Sequence, residues 1–234
     1  SVSGCEFVFH LAAMVSVPAS VENPQRCFEI NVHGTEQVLQ AAVDAGAKRV
    51  VFAASSAAYG PFAALPSTEE MQPDPASPYA ESKIAGEKAV LHCAQNTNTD
   101  TASLRYFNVF GPTQDPHSQY AAVVAAFMEA LRNKCNPKVY GDGTQTRDFT
   151  FIDNAVHANL LAASCSNPLS GGTFNVGTGS SYSLLAMLDA MGKATDSSPN
   201  PDFYPVREGD VPHSRADISK AKRVLGYEPV VSFE

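Results

Sequence analysis

Short apolar runs alternate along the chain with longer stretches whose apolar positions recur at helical spacing. Phe7-Val-Phe9 reads as a buried strand. Residues 24–45 read as a helix: Pro24 suits its first turn, Ile30, Val38, Leu39 and Ala42 supply an apolar stripe, and Gly46 stops it. Arg49-Val-Val-Phe-Ala53 is the next strand and ends at Ser55. Pro61, Pro66, Pro73, Pro75 and Pro78 make the following segment too proline-rich for the interior of a helix or sheet. It is expected to be a loop that walls the space between Ser55 and Tyr79. Further on, the pattern predicts a helix over 79–95, a strand over Ala102–Tyr106 and a helix over 120–134. Short strands are expected at Asp148–Ile152 and Gly172–Val176. Strands alternating with helices favour a parallel sheet with helical crossovers.

Composition narrows the function classes. The sequence has 234 residues, room for one domain or two small ones with an ample core. Hydrophobic residues at 44% and charged residues at 17% exclude a disordered chain. Acidic residues outnumber basic ones, 24 to 16, and the net charge of −8 argues against a nucleic-acid partner. Local arginines can still build a positive pocket for an anionic substrate. Five cysteines, at 5, 27, 93, 135 and 165, fit no metal or disulfide spacing. A reducing, cytoplasmic setting is therefore expected. No apolar run approaches the roughly 18 residues of a membrane span, so no membrane partner is expected. The histidines show no ligand spacing such as His-x-x-x-His, and no metal is assigned.

The chemistry gathers in Ser77-Pro-Tyr-Ala-Glu-Ser-Lys83 and in Ala53-Ala-Ser-Ser-Ala-Ala-Tyr-Gly60 upstream. Tyr79 and Lys83, four apart on a helix, share one face. Free tyrosine titrates near 10, so its phenolate needs support to act as a base at neutral pH. An ammonium within about 4–6 Å gives that support by charge attraction. Ser55, ending a strand, can hold a substrate hydroxyl while the phenolate takes its proton. A Tyr-x-x-x-Lys spacing alone is weak evidence, because solvated helix faces carry it often. The strand ending in serines raises its weight.

With these residues in place, the chain resembles an extended short-chain dehydrogenase/reductase of the NAD-dependent nucleotide-sugar epimerase/dehydratase family. Phe9-His-Leu-Ala-Ala13, Ser16-Val-Pro18, Asn31-Val-His-Gly-Thr35, Arg105-Tyr-Phe-Asn-Val-Phe-Gly-Pro112, Tyr140-Gly-Asp-Gly-Thr-Gln-Thr-Arg-Asp-Phe149, Phe174-Asn-Val-Gly-Thr-Gly179 and Arg207-Glu-Gly-Asp210 follow in family order. The resemblance implies an α/β fold, with a Rossmann-like parallel sheet lacking its first strands and a smaller α/β substrate-binding region. Residues 1–108 would form a partial NAD-binding domain and 109–234 mainly the substrate region, with 149–192 partly returning to the first. The family's opening Gly-x-x-Gly-x-x-Gly is not in the sequence, and Gly177-Thr-Gly179 lacks the third glycine. Roughly 60–80 residues would be missing, judged from βαβ units of about 30 residues. The end at Val230-Val-Ser-Phe-Glu234 likewise falls short of a final helix. An internal piece of an enzyme is the expectation.

The resemblance also distributes roles. Ser55, Tyr79 and Lys83 would be catalytic, with Lys83 also bonding the nicotinamide ribose. Leu11, Ala12, Ala13, Asn31 and Tyr106 would join them around NAD. Asn108, Arg147 and Arg207 would clamp the substrate diphosphate, which suits the fixed donor fork of arginine. The bland alternatives are ion pairs of Arg147 with Asp148 or Asp142, and of Arg207 with Glu208. Ser56 is either a sugar contact or a cap, and Tyr140 either flanks the uracil or simply packs. His10 and Arg105 read as structural. Ser55-Ser56-Ala57-Ala58 carries no carboxylate, unlike dehydratases and decarboxylases of the family, and this favours a 4-epimerase. Ser214, small where a tyrosine would restrict the pocket, favours UDP-N-acetylglucosamine and UDP-N-acetylgalactosamine, alongside UDP-glucose and UDP-galactose. Alternatives are another nucleotide-sugar enzyme (uronate epimerase, dehydratase or reductase) or a non-catalytic fragment. A homodimer through helices 24–45 and 79–95 is expected.

Overall fold

The computed structural model describes residues 2–115, 123–206 and 211–233. Its strands are β1 (Phe7–His10), β2 (Arg49–Ser55), β3 (Asp100–Tyr106), β4 (Val109–Phe110), β5 (Lys138–Tyr140), β6 (Thr146–Arg147), β7 (Thr150–Phe151), β8 (Gly172–Val176), β9 (Tyr182–Ser183) and β10 (Asp202–Tyr204). Its helices are α1 (Val17–Glu22), α2 (Pro24–Phe28), α3 (Gly34–Asp44), α4 (Pro78–Asn96), α5 (Val123–Arg132), α6 (Ile152–Ser164), α7 (Leu184–Ala194) and α8 (Ser219–Leu225). A π-turn, Glu29–His33, joins α2 to α3.

The main sheet has the order β1-β2-β3-β8 with every pair parallel. Alternation along β2 sends Val50, Phe52 and Ala54 to a core with Leu39, Ala42, Val90 and Cys93 of α3 and α4. Val51, with Ala102, Leu104, Phe174 and Val176, faces Ala158 and Ala162 of α6 and Ala221 and Leu225 of α8. Helices on both faces explain why β2 reads as one unbroken apolar run. The α/β expectation with a parallel Rossmann-like sheet is met.

Three local expectations need correction. Phe7 and Phe9 are 37% and 40% exposed, so β1 is not a buried strand. It lies at the sheet edge; Val8 and His10 turn toward the α3 side, whereas on the other face α6 packs mainly on β2, β3 and β8 of this sheet. The strand expected over 148–152 shrinks to Thr150–Phe151, because Phe151 caps α6 in an extended conformation and Ile152 is already helical. The single helix over 24–45 is a continuous rod with the π-turn inside it. Its ends are as read: Asn23 accepts from the Arg26 amide at 3.0 Å, and Gly46 takes φ +69° beyond the last turn.

A second, smaller core joins α5 and α7 through Val124, Phe127, Val139, Phe149, Met187 and Leu188. It carries the short pairs β5–β10, β4–β7 and β6–β9. Of the span 149–192, α6 and β8 lie on the main sheet, and β9 with α7 belongs to the second core. The chain comes back once more with α8, a short polar segment whose sequence gave no such sign. No helix among the described residues is long and apolar enough to cross a membrane.

Candidate active site

The carboxyl ends of β1, β2 and β3 open on one side of the sheet, where ligands bind in open α/β folds. Ser55 ends β2 in extended backbone and caps the short 3-10 turn Ser56–Tyr59, its Oγ accepting from the Ala57 amide at 3.2 Å. Helix α4 starts nearby: Ser77 caps it and Pro78 fills its first position. Tyr79 is thereby held in the first turn and Lys83 one turn on. The helix comes close to β2 at Gly86, where a Cβ would stand 2.5 Å from Phe52 Cζ. That approach lets Lys83 reach the strand; its Nζ donates to the Ala53 carbonyl at 2.8 Å.

Lys83 is 4% exposed. Its ammonium lies over the Phe52 ring at 5.1 Å and over the Tyr79 ring at 5.9 Å. Burial pulls the Lys83 pKa down to about 8, with Cys27 and Glu87 working the other way. Burial pushes the Tyr79 hydroxyl above its ordinary value, hydrogen bonding to Ser55 draws it back, and Cys27 adds to the rise. Spacing alone predicts that Lys83 lowers the Tyr79 pKa; in this protein the net direction is upward. The ammonium faces the Tyr79 ring and spends a hydrogen bond on a carbonyl.

Asn31, fully enclosed, is the brace beside this pair. It accepts from the Met14 amide at 2.7 Å and donates to the Met14 carbonyl at 3.0 Å and to Ser82 Oγ at 2.9 Å. The loop after β1 is thus pinned to the first turns of α4. Ser82 passes the connection on, donating to the Tyr79 carbonyl at 2.7 Å. Thr35 Oγ1 donates to the Asn31 carbonyl at 2.6 Å and receives His10 Nε2 at 2.9 Å, which protonates that ring nitrogen. Burial, then the Lys83 charge, lowers the His10 pKa. The imidazole is a neutral structural group. Leu11 and Ala12 lie exposed past the end of β1, and Ala13 is half-buried.

Tyr106 packs against the core under α6, and its hydroxyl accepts from Asn159 Nδ2 at 2.7 Å. Burial raises that hydroxyl to about 12. Asn108, two residues on, is exposed with φ +22°, and its Oδ1 accepts from Ser214 Oγ at 3.2 Å. The Ser214 amide in turn reaches the Thr146 carbonyl at 3.0 Å. Arg147 Nη1 donates to the carbonyls of Thr146 and Pro212 at 2.9 and 3.3 Å. Asn108, Arg147 and Ser214 therefore share one rim, which continues from the end of β3. Arg207 lies outside the described residues. Ser56 is half-buried in the 3-10 turn, and Tyr140 packs at a tilt against Tyr204 with centroids 5.5 Å apart.

Asp148 is not the partner of Arg147. Its carboxylate accepts from the amides of Thr178, Gly179 and Ala216 at 2.8, 3.0 and 3.1 Å. The Asp148 side chain thus occupies the Thr178 and Gly179 amides of this glycine-containing turn. The wall after Ser55 is also tied down. Gly60, at φ +75°, lets Asp74 fold back to the Ala58 carbonyl at 2.9 Å, and Ser67 bridges to Ala216. Tyr59 donates to Asn175 Oδ1 at 2.6 Å.

One buried ion pair had no signal beyond its spacing. Glu87, four residues after Lys83, accepts from Arg105 Nε and Nη2 at 2.8 and 2.7 Å.

Comparison with known proteins gives one consistent result. A sequence model described as the NAD dependent epimerase/dehydratase family matches residues 1–177. The UDP-glucose 4-epimerase of Mycolicibacterium smegmatis is 41% identical over 229 residues, covering 97% of this chain and 72% of its own length. A UDP-N-acetylglucosamine 4-epimerase from Methanobrevibacter ruminantium, solved with UDP-N-acetylmuramic acid, superposes with a TM-score of 0.93 at 36% identity, over 97% of this chain and 72% of its own. The Thermus thermophilus UDP-glucose 4-epimerase, solved with NAD, gives 0.86 at 35% identity, over 97% and 73%.

Proposed function

This chain belongs to the NAD dependent epimerase/dehydratase family, and within it we propose that the protein interconverts the 4-epimers of a UDP-sugar through a transient 4-keto sugar. The observation that carries the reading is the grouping of Ser55, Tyr79 and Lys83 at the carboxyl ends of parallel strands, beside a rim bearing Asn108, Arg147 and Ser214. The residues present fit NAD. Buried Lys83 has three N–H donors and, among the described residues, one hydrogen-bond acceptor, Ala53, so two donors stay available for ribose hydroxyls. Exposed Leu11 and Ala12 offer an apolar shelf where β1 ends, Ala13 lies beside them, and enclosed Asn31 acts from behind by fixing the Met14 backbone. Tyr106, whose hydroxyl is committed to Asn159, contributes from beneath.

When bound, NAD would supply a hydride acceptor and donor for carbon 4 of the sugar. Ser55 holds the 4-hydroxyl, with Ser56 next to it, and Tyr79 takes the proton as general base. The keto sugar turns about its diphosphate, which Asn108, Arg147 and Arg207 retain. Tyr79 then returns the proton to the 4-oxygen of the turned sugar, whose carbon 4 now presents its opposite face for reduction. The Ser56–Tyr59 turn holds no carboxylate for dehydration or decarboxylation, and Glu69 nearby is committed to the Asn175 amide at 2.7 Å. Five free cysteines suit a reducing cytoplasm. Two copies pair through the rod over 24–45 and the helix over 79–95; sedimentation equilibrium at a monomer mass would count against that pairing.

Ser214 decides the sugar. Its short side chain leaves room beside carbon 2, so N-acetylated UDP-hexoses enter along with the parent sugars. Ser214→Tyr is expected to cut turnover of UDP-N-acetylglucosamine at least about tenfold, a pocket-filling effect of a few kcal/mol at most. UDP-glucose turnover should change little. Equal losses on both sugars, or turnover by the parent protein of UDP-glucose alone, would refute the assignment.

A further inference from the structure

Tyr79 stands second in α4, in the turn where backbone amides have no helical partner. Pro78 has no amide to satisfy. The Ala80 amide donates to Ser77 Oγ at 3.2 Å, and the Glu81 amide to the Ser77 carbonyl at 3.0 Å. That leaves the Tyr79 amide, which crosses to another element and donates to Ser20 Oγ at 3.1 Å. Ser20 is the one buried residue of α1, whose apolar Val17 and Val21 lie exposed. Its own proton goes to the Val17 carbonyl, which fixes the hydroxyl as an acceptor toward Tyr79.

The carbonyl of the same residue is held from the same stretch of chain. It receives Ser82 Oγ, Ser82 receives Asn31 Nδ2, and Asn31 binds both backbone groups of Met14. Both backbone groups of Tyr79 are therefore tied to the segment from Met14 to Ser20, directly after the shelf at Leu11–Ala13. We propose that Ser20 is a positioning residue for Tyr79: by engaging its amide it sets the angle at which the phenol leaves α4, and it links the base to the segment that follows the shelf. Alanine would fit the space at position 20 but would leave the Tyr79 amide unpaired in an enclosed place. The inference rests on the proposed role of Tyr79 as general base.

The test labels the full chain with ¹³C at the tyrosine ζ-carbons, with the Tyr79 signal assigned by its loss in Tyr79→Phe. Ser20→Ala should move the Tyr79 signal and leave the remaining tyrosine signals in place. In turnover of UDP-sugars, kcat should fall by about ten- to a hundredfold with the KM for the sugar near its parent value, the cost of displacing a reacting group slightly. In a Tyr79→Phe background the same substitution should cost nothing further, because Ser20 acts through the missing hydroxyl. Where the alanine variant fails to fold, Ser20→Cys keeps the size, offers only a weak acceptor and should give the same results. A still Tyr79 signal, an unchanged kcat or an equal fractional loss in both backgrounds would overturn the proposal and leave Ser20 as a tie between α1 and α4. A parent protein inactive on UDP-sugars would defeat the proposed reaction instead, and the ring signal would then decide the role of Ser20.

Discussion

Replacing Tyr79 with phenylalanine should lower UDP-sugar turnover by a factor of about 10²–10⁴, the span that a positioned general acid–base contributes. The change removes one oxygen. The ring keeps its place in the first turn of α4, whose cap and whose Asn31–Ser82 brace act through the backbone and other side chains. Stability and the KM for the sugar should therefore stay close to the parent values. The pH profile adds a check. Burial raises the Tyr79 hydroxyl in the protein, so the fraction present as the phenolate base grows as pH rises, and the acid limb of the rate profile should belong to it. In Tyr79→Phe the residual rate should lose that limb. Turnover within tenfold of the parent, with the limb intact, would remove Tyr79 from the chemistry.

The largest effect on stability is expected far from the site, at Arg49. This arginine opens β2, is almost wholly buried and donates Nε to Asp100 at 2.7 Å. Its Nη1 reaches the carbonyls of Ala162, Ala163 and Cys165 at 2.7, 3.1 and 2.8 Å, and Nη2 reaches Asn167 at 2.9 Å. One guanidinium thus closes the end of α6, where helix carbonyls lack partners, and anchors it to the sheet. Arg49→Met would orphan those carbonyls and strip Asp100 of its counter-ion, at a cost of about 3–5 kcal/mol. Burial disfavours the Asp100 charge, but the amides of Leu169 and Ser170 and then Arg49 outweigh it and hold the carboxyl below its ordinary value. A carboxylate lowered on folding stabilises above its unfolded pKa, near 3.9, and loses that contribution as pH falls through the folded value. Denaturant unfolding at pH 7 measures the loss; a change under about 1 kcal/mol would contradict the capping role.

Some of this was legible because it depends on local spacing. The i, i+4 relation of Tyr79 and Lys83, the doubly covered strands β2 and β3 and the proline-rich wall each follow from a few adjacent residues. Edge position does not. Phe7-Val-Phe9 carries the pattern of a buried strand, yet what covers it is decided by helices more than 140 residues away. The Glu87–Arg105 pair and the Asp148 hub join residues that no sequence window holds together. Arg105 could be read only as structural, because its partner was hidden on the helix carrying the catalytic pair. The upward pKa of Tyr79 escaped for a related reason: proximity to Lys83 is visible in the spacing, whereas burial is a property of the finished fold.

The π-turn at Glu29–His33 gives the rod from Pro24 to Asp44 two independent phases. An α-helix advances about 100° per residue, so one extra residue in a turn offsets everything before it from everything after. Leu39 and Ala42, after the turn, face the sheet, while Asn31, inside it, bonds Met14 and Ser82. The turn works as a phase shifter, and it separates the freedom of the two ends to change. Residues after it can drift as core residues do, whereas those within it are held to the angular setting of Asn31.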